Sequence, residues 1–287
     1  MATPREVYLS GKAVGYLLNS MCEITDVQEA PDTMASRLRI SCWIMTSPRN
    51  LEKRARFIQM TWAKRCDKVV FISSETNTTF PTVGLNVSEG RNHLTEKTLG
   101  GFRYIYEHHF DDCDWFFKAD DDTYLVVENL RHFLADFDTN EPLYFGHHFK
   151  AIIKQGYSSG GSGLVVSKEA LRRFGQHGHR PKICRQKGTA GDAAFGQCMQ
   201  SLEVKLANST DSQGRSKFHC MTPHSHLSGK YPQWYRKYDA NGAKKGIQSM
   251  SDHPISFHYV GGYKQLELEY LMYRARIHHY VPSLSLD

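Results

Sequence analysis

Three consecutive carboxylates, Asp120-Asp121-Asp122, follow directly on the apolar run Trp115-Phe116-Phe117-Lys118-Ala119. Such a run reads as a buried strand, and in open α/β sheets ligands sit beyond the carboxyl ends of the strands. Negative charge gathered at one place is costly to bury unless a cation neutralises it. Carboxylate oxygens are hard ligands suited to Mg²⁺ or Mn²⁺, and such an ion can bridge the phosphates of a nucleotide. The same triplet also makes a plain acidic turn that caps the following helix and favours its N-terminal dipole. Taken alone, the triplet leaves both readings standing.

The elements that must carry this turn are legible on either side of it. Leu38-Arg39-Ile40-Ser41-Cys42-Trp43-Ile44-Met45 alternates and then turns apolar before Ser47-Pro48, as a buried strand entering a loop would. Asn50 can cap a helix whose apolar residues Leu51, Ala55, Ile58 and Trp62 recur at helical spacing, and a second apolar run follows from Lys68 to Ile72. Strand, helix, strand is the repeating unit of parallel α/β sheets. Helical spacing returns from His93 to Phe110, Leu125 to Phe137, after Lys168, from Asp192 to Leu202 and from Tyr263 to Arg276. Further strands are expected at Leu143 to Phe149, Gly163 to Ser167 and Ile255 to Val260, with the glycine-rich stretch Gly156 to Gly163 between the first two. Residues 207–252 are polar, aromatic-rich and irregular, and residues 1–36 read as a poorly ordered lead-in. With no internal repeat and no clean linker, 37–287 is expected to form one α/β domain.

The 287 residues, 40% hydrophobic and 23% charged, suit a globular chain with a sizeable core rather than a coiled coil, collagen or low-complexity tail. No run approaches the roughly 18 apolar residues of a membrane-spanning helix. Ala13 to Met21 is short and interrupted by Gly15 and Asn19, so neither anchor nor signal peptide is visible. The net charge of +6 is scattered, without an arginine-rich arm or zinc-finger spacing, which argues against nucleic acid. Ordinary surface charge and an anionic, phosphorylated substrate both fit it. The seven cysteines contain no CxxC pair, and three N-x-[S/T] sequons at Asn77, Asn86 and Asn208 fall in polar loops. Together they tilt toward the secretory pathway, where an odd cysteine count leaves one thiol unpaired or pairs it between chains.

Lys118-Ala119-Asp120-Asp121-Asp122-Thr123-Tyr124 resembles the DxD segment of GT-A glycosyltransferases. Trp43 to Ala55, Thr61 to Cys66, Asp114 to Lys118, Tyr144-Phe145-Gly146 and Gly156 to Gly163 are similar, in the same order, to segments of the core 1 β1,3-galactosyltransferases of glycosyltransferase family 31. So are Ser256-Phe257-His258-Tyr259-Val260 and Glu267-Leu268-Glu269-Tyr270-Leu271, which makes the likeness collinear from residue 38 to 275. The resemblance implies a GT-A fold, a single Rossmann-like mixed sheet flanked by helices. It also implies inverting transfer of galactose from UDP-galactose to O3 of GalNAc α-linked to Ser or Thr of a glycoprotein, the core 1 step of O-glycan synthesis.

Roles then pass to matching positions. Asp122 and His258 become ligands of the family's Mn²⁺, with Asp120 near the uridine ribose; without the resemblance, a lone His on an apolar strand is ordinarily a satisfied core residue. Asp192 takes the base role that an inverting displacement needs, removing the proton of the attacking hydroxyl. Its bland alternative is a helix N-cap. Met45, Thr46, Asn50, Glu89, Gly90, Arg91 and Lys97 are the implied nucleotide contacts, although Arg91 and Lys97 also suit a solvated surface. Gly160 and Gly161 would admit close approach of backbone to the sugar, or form a plain turn. Trp234 and Tyr235 would offer ring faces to the acceptor. By family position Cys42 pairs with Cys66 and Cys184 with Cys198, leaving Cys22, Cys113 and Cys220 unassigned. A type II membrane enzyme of the Golgi, acting in the lumen as a homodimer, is the accompanying expectation.

The chain departs from the family at several points. Gly191 stands where the family has an acidic neighbour of the base, and Arg236 interrupts the aromatic stretch. Leu266 replaces an aromatic, and Ser249-Met250 replaces adjacent cysteines. These departures keep two alternatives in view, a non-catalytic chaperone-like relative and a β1,3-glycosyltransferase with another acceptor. The chaperone-like branch lacks an intact DxD, whereas Asp120 to Asp122, Asp192 and His258 are all present here, which favours an enzyme.

Overall fold

A computed structural model of the chain describes residues 38–276 and 278. The expected lead-in 1–36, with Cys22, lies outside the described residues. The strand expected before Ser47 is β1 (Ile40–Met45), and the apolar run after it is β2 (Lys68–Ser73), parallel to β1. A short β3 (Thr82–Gly84), not announced by the sequence pattern, extends that edge. On the other side of β1, also parallel, runs β4 (Trp115–Asp120), with Met45 opposite Asp120. β5 (Tyr124–Leu125) leaves this sheet. The stretch expected as one strand from Leu143 to Phe149 divides into β6 (Leu143–Gly146) and β7 (His148–Phe149), and β7 pairs with β8 (Tyr157–Ser158). With β9 (Leu164–Ser167) and β10 (Lys205–Leu206), the main sheet runs β10-β6-β9-β4-β1-β2-β3, β9 being antiparallel to both neighbours. β11 (Phe218–His219) and β12 (Ser256–Phe257) form a small sheet with β5.

The helices are α1 (Arg56–Met60), α2 (Leu94–His109), α3 (Val127–Leu134) and α4 (Lys168–His177). They are followed by α5 (Gly191–Ser201), α6 (Pro223–Ser228), α7 (Gln233–Tyr238) and α8 (Tyr263–Tyr273). Alternation along the strands decides which helix packs where, because successive side chains point to opposite faces. Cys42, Ile44, Phe117, Ala119 and Val165 join Ile58, Trp62, Leu130 and Phe133 on one face. Trp43, Phe116, Leu164 and Val166 join Leu99, Phe102, Ile105, Leu171, Phe174 and Phe195 on the other. The result is the mixed sheet flanked by helices expected of the GT-A fold.

Among the expected elements that prove shorter than their sequence patterns suggest, two lie beside the carboxylates. The helix from Asn50 to Trp62 is broken into a 3₁₀ turn (Pro48–Asn50), a π-helical turn (Leu51–Ala55), α1 and a second 3₁₀ turn (Trp62–Arg65). Asn50 does not cap it, since the Asn50 amide instead donates to Asp121 Oδ2 at 2.8 Å. π turns are commonly found at functional sites. The last strand stops at Phe257, and two residues later Tyr259 takes a left-handed φ of 60°.

Cys42–Cys66 and Cys184–Cys198 are disulfide-bonded, as the resemblance implied, while Cys113 and Cys220 are free and buried. The asparagines of all three sequons are exposed. Among the described residues no helix is long and apolar enough to cross a membrane.

Candidate active site

The parallel register of β1 and β4 brings the loop after Met45 against the three carboxylates, and these do not share one role. Asp121 turns back toward the β1 loop. It accepts from Thr46 Oγ1 at 2.9 Å, from Asn50 Nδ2 at 2.8 Å and from Arg54 Nη1 at 3.1 Å. Burial pushes its pKa up from the usual carboxylate range despite these donors. Asp121 therefore fastens the loop, and Thr46 and Asn50 have their side chains engaged by it.

Asp120 and Asp122 meet His258, each of the three offering one ligand atom within 4.8 Å of the others. His258 Nε2 lies 3.2 Å from Asp122 Oδ1, and Arg54 Nη1 lies 3.1 Å from Asp122 Oδ2. Burial works against ionisation of Asp122, but the hydrogen bond and charge of His258, with the charges of Arg54 and Lys118, hold its carboxyl below the ordinary value. His258 is placed by backbone bonds on both sides: its N–H donates to His219 O at 3.0 Å, and Val260 N–H donates to Asp122 O at 2.8 Å. The left-handed Tyr259 between them stacks its half-exposed ring on His258, with centroids 3.9 Å apart. Two carboxylates and one imidazole suit a divalent cation of the Mn²⁺ type.

The glycine pair forms the opposite wall. Buried Lys118 pairs with Asp120 and donates to Gly160 O at 3.1 Å, while Thr123 Oγ1 donates to Gly161 O at 2.8 Å. Gly160 N–H in turn donates to Asp192 Oδ2 at 3.3 Å, and Asp192 Oδ1 accepts from Ala193 N–H at 2.8 Å. A Cβ on Gly161 would fall 1.9 Å from His258 Cε1, so only glycine allows the imidazole to sit there. Asp192 is in the first turn of α5, whose N-cap is Ala190, so the N-cap reading does not describe it. A Cβ at Gly191 would lie 2.5 Å from Thr98 Oγ1 and 2.8 Å from the Leu94 carbonyl. The missing acidic neighbour is thus matched by an α5 packed too closely on α2 for any side chain at that position.

A cavity of about 720 Å³ joins these walls. It is lined by Met45, Thr46, Asn50, Glu89, Gly90, Arg91, Lys97, Asp120, Asp122, Gly160, Gly161, Asp192, Trp234 and His258, every residue singled out from the sequence except Tyr235. Tyr235 is 2% exposed, with its ring against Tyr231 and His147, so it offers no face to a sugar. The residue beside it, Trp234, is 41% exposed and does line the cavity, along with Tyr238. Lys97 also differs from expectation. Its ammonium is 2.9 Å from both Glu89 oxygens and from Thr46 O, three acceptors for three protons, which leaves none to turn toward a phosphate. Arg91 stands exposed on the rim.

Sequence reasoning missed Arg54, Lys118 and Tyr259. Lys118 carried a usable signal, because a lysine inside an apolar strand is rarely buried without a partner. Arg54 and Tyr259 carried none, since their positions depend on a π turn and a left-handed residue.

A family model described as Fringe-like matches residues 38–227. Over 262 residues the chain is 40% identical to glycoprotein-N-acetylgalactosamine 3-beta-galactosyltransferase 1 of Xenopus laevis, covering 88% of this chain and 72% of that protein. The chain belongs to the Fringe-like family of β1,3-glycosyltransferases. It is also 28% identical over 159 residues to a beta-1,3-glucosyltransferase of Mus musculus, spanning 54% of this chain and 32% of the relative. Among solved structures, the galactosyltransferase LgtC aligns distantly with this Fringe-like chain. The TM-score is 0.41 at 11% identity, over 77% of this chain and 87% of that one.

Proposed function

We propose that this Fringe-like chain transfers galactose, with inversion, from UDP-galactose to O3 of GalNAc α-linked to Ser or Thr of a glycoprotein. The observation that carries the reading is the Gly160–Gly161 pair: Asp192 is hydrogen-bonded to one glycine, and His258 of the Asp120–Asp122–His258 set is packed on the other. A donor bound at the acidic set would present its sugar to the glycines, and an acceptor hydroxyl beyond them would reach Asp192. The name of the 40% identical relative supports this donor sugar and this acceptor.

In this reading Asp122 and His258 would hold Mn²⁺, with Asp120 joining them in place of its expected seat near the uridine ribose, and the ion would supply positive charge for the departing diphosphate. Asp192 Oδ2, weakly held by Gly160 N–H at 3.3 Å, accepts the acceptor O3–H proton as that oxygen attacks the anomeric carbon. Trp234 offers a flat apolar face to the acceptor sugar. Lys118 keeps the Gly160 carbonyl tied to Asp120, so the donor and acceptor walls keep their spacing. Exposed sequons and two disulfides support a luminal setting for the single domain 37–287. The test is product mass after incubation of UDP-galactose with a GalNAc-α-Thr glycopeptide, with Mn²⁺ and with chelator. One added hexose that disappears with chelator supports the reading, and no hexose in either condition overturns it.

A further inference from the structure

We propose that Arg54 is a phosphate-binding residue, whose guanidinium takes the β-phosphate of the nucleotide diphosphate beside the acidic set. This role rests on the donor reading above, in which a UDP-sugar binds at Asp120, Asp122 and His258.

Arg54 stands on the π turn Leu51–Ala55 and lines the cavity, its side chain 43% exposed. A Cβ on Gly261 would lie 3.7 Å from Arg54 Nε and 3.4 Å from Asp122 Cβ, so the arginine runs beside the backbone that follows His258. Both of its ion pairs use a single nitrogen: Nη1 donates to Asp121 Oδ1 and to Asp122 Oδ2, each at 3.1 Å. A guanidinium has five N–H donors, so the one on Nε and the two on Nη2 are left without an acceptor among the described residues. Nε–H and Nη2–H form the parallel fork that meets two oxygens of one phosphate. Asp122 serves both neighbours without conflict, since Oδ1 lies 3.2 Å from His258 Nε2 while Oδ2 accepts from Arg54.

The lysines of the cavity wall are spent. Lys97 has its three protons on Glu89 and Thr46, and Lys118 is buried between Asp120 and Gly160 O. Arg91 stands exposed on the rim. Among the lysines and arginines lining the cavity, Arg54 alone joins unspent donors to a direct bond with the acidic set.

In the transfer, acceptor O3 bonds to the anomeric carbon as the bond from that carbon to the β-phosphate oxygen breaks. The electron pair of the broken bond stays on that oxygen, the O3 proton passes to Asp192, and UDP leaves with one more negative charge than the nucleotide carried in the donor. The Arg54 fork meets this charge where it forms, so the contact strengthens as the bond breaks.

The experiment compares UDP with UMP, which lacks the β-phosphate. In calorimetric titration with Mn²⁺ present, Arg54→Gln should weaken UDP at least about tenfold and change UMP less than about threefold, as loss of a charge-assisted phosphate pair would. Binding of Mn²⁺ alone, followed by electron paramagnetic resonance, should not weaken, because the substitution removes a competing cation from Asp122. An arginine that only holds Asp121 and Asp122 in place gives the opposite pattern, with Mn²⁺, UMP and UDP weakened together, and that result overturns the proposal. Should the glutamine variant fail to fold, Arg54→Lys keeps a charge at the two aspartates but loses the fork; it should weaken UDP about threefold or more relative to UMP, and equal effects on the two nucleotides overturn the proposal. Where transfer is measurable, kcat of Arg54→Gln at saturating UDP-galactose should fall about tenfold or more, and an unchanged kcat overturns the role in bond cleavage. An unsubstituted protein that binds no UDP in Mn²⁺ removes the donor reading itself, and the proposal with it.

Discussion

Replacing Gly161 by alanine should disable metal-assisted nucleotide binding, while the neighbouring change Gly160→Ala should spare it. A Cβ at 161 would lie 1.9 Å from His258 Cε1 and 2.2 Å from Nε2, where ordinary contact begins at 3.4 Å, so the ring must retreat by more than 1 Å. Metal sites hold their ligand distances to about ±0.2 Å, so His258 would be lost as a ligand. At 160 the new Cβ meets Asp192 Cβ at 3.2 Å and Lys118 Nζ at 3.6 Å, which calls for a few tenths of an ångström and falls on the proposed base. Loss of a partner that merely orients a ligand already weakens metal affinity about 10- to 100-fold, so loss of the ligand itself should cost at least as much. A 30-fold loss removes about 2 kcal/mol of ligand-induced stabilisation at saturation, or about 4–8 °C of thermal shift for a domain of this size. The assay is thermal unfolding of each variant alone, with Mn²⁺, with UDP and with both, alongside transfer. Gly161→Ala should lose the joint Mn²⁺ and UDP shift; Gly160→Ala should keep that shift and transfer more slowly. A full joint shift in Gly161→Ala would refute the assignment of His258.

Three further outcomes follow from the same geometry. Asp192→Asn should preserve the Mn²⁺-dependent UDP shift and lower transfer by about 10²- to 10⁴-fold, the usual weight of a general base; simultaneous loss of both would show that Asp192 only fastens Gly160. Gly191→Asp, restoring the family's acid, should destabilise the unliganded protein by about 1–3 kcal/mol, because the side chain would be driven into Leu94 and Thr98; an unchanged midpoint in calorimetry would contradict this. Stability should also peak near neutral pH. Burial lowers His219 to about 3 and His226 to about 2 from an ordinary 6.5, so acid favours the unfolded chain, which can protonate both. Lowering pH from about 6.5 to about 5 should therefore remove about 3 kcal/mol. His147, raised to about 10, gives stability that is complete below 6.5 and fades as pH rises toward 10. A urea titration at pH 5, 7 and 9 checks both limbs, and a flat profile would contradict them.

The elements of the sheet were legible because their signals are local. An apolar run ending in three acids, Trp115 to Asp122, names a strand and its acidic end without any partner, while the reading of that end as a ligand site came from the family resemblance. The alternation of Cys42, Trp43 and Ile44 marks a strand buried on both faces. The family's segments then marked which loops to watch, and the fold brought almost all of them to one cavity.

What the sequence could not decide was the division of labour within that cavity. Three adjacent aspartates look equivalent as letters, but successive residues of a strand end point to different sides, so Asp121 holds the β1 loop while Asp120 and Asp122 face His258. Tyr235 and Trp234 are neighbours of one chemical kind, and helix α7 turns one into the core and the other to the cavity. Lys97 has the charge to meet a phosphate, and only its burial against Glu89 and Thr46 withdraws it. Residue type and spacing thus placed three carboxylates at the end of β4, and the family resemblance alone marked that end as a candidate site. Which side chains face it was decided by the π turn at Leu51–Ala55, the left-handed Tyr259 and the close packing at Gly161 and Gly191, because those contacts join segments far apart in the chain.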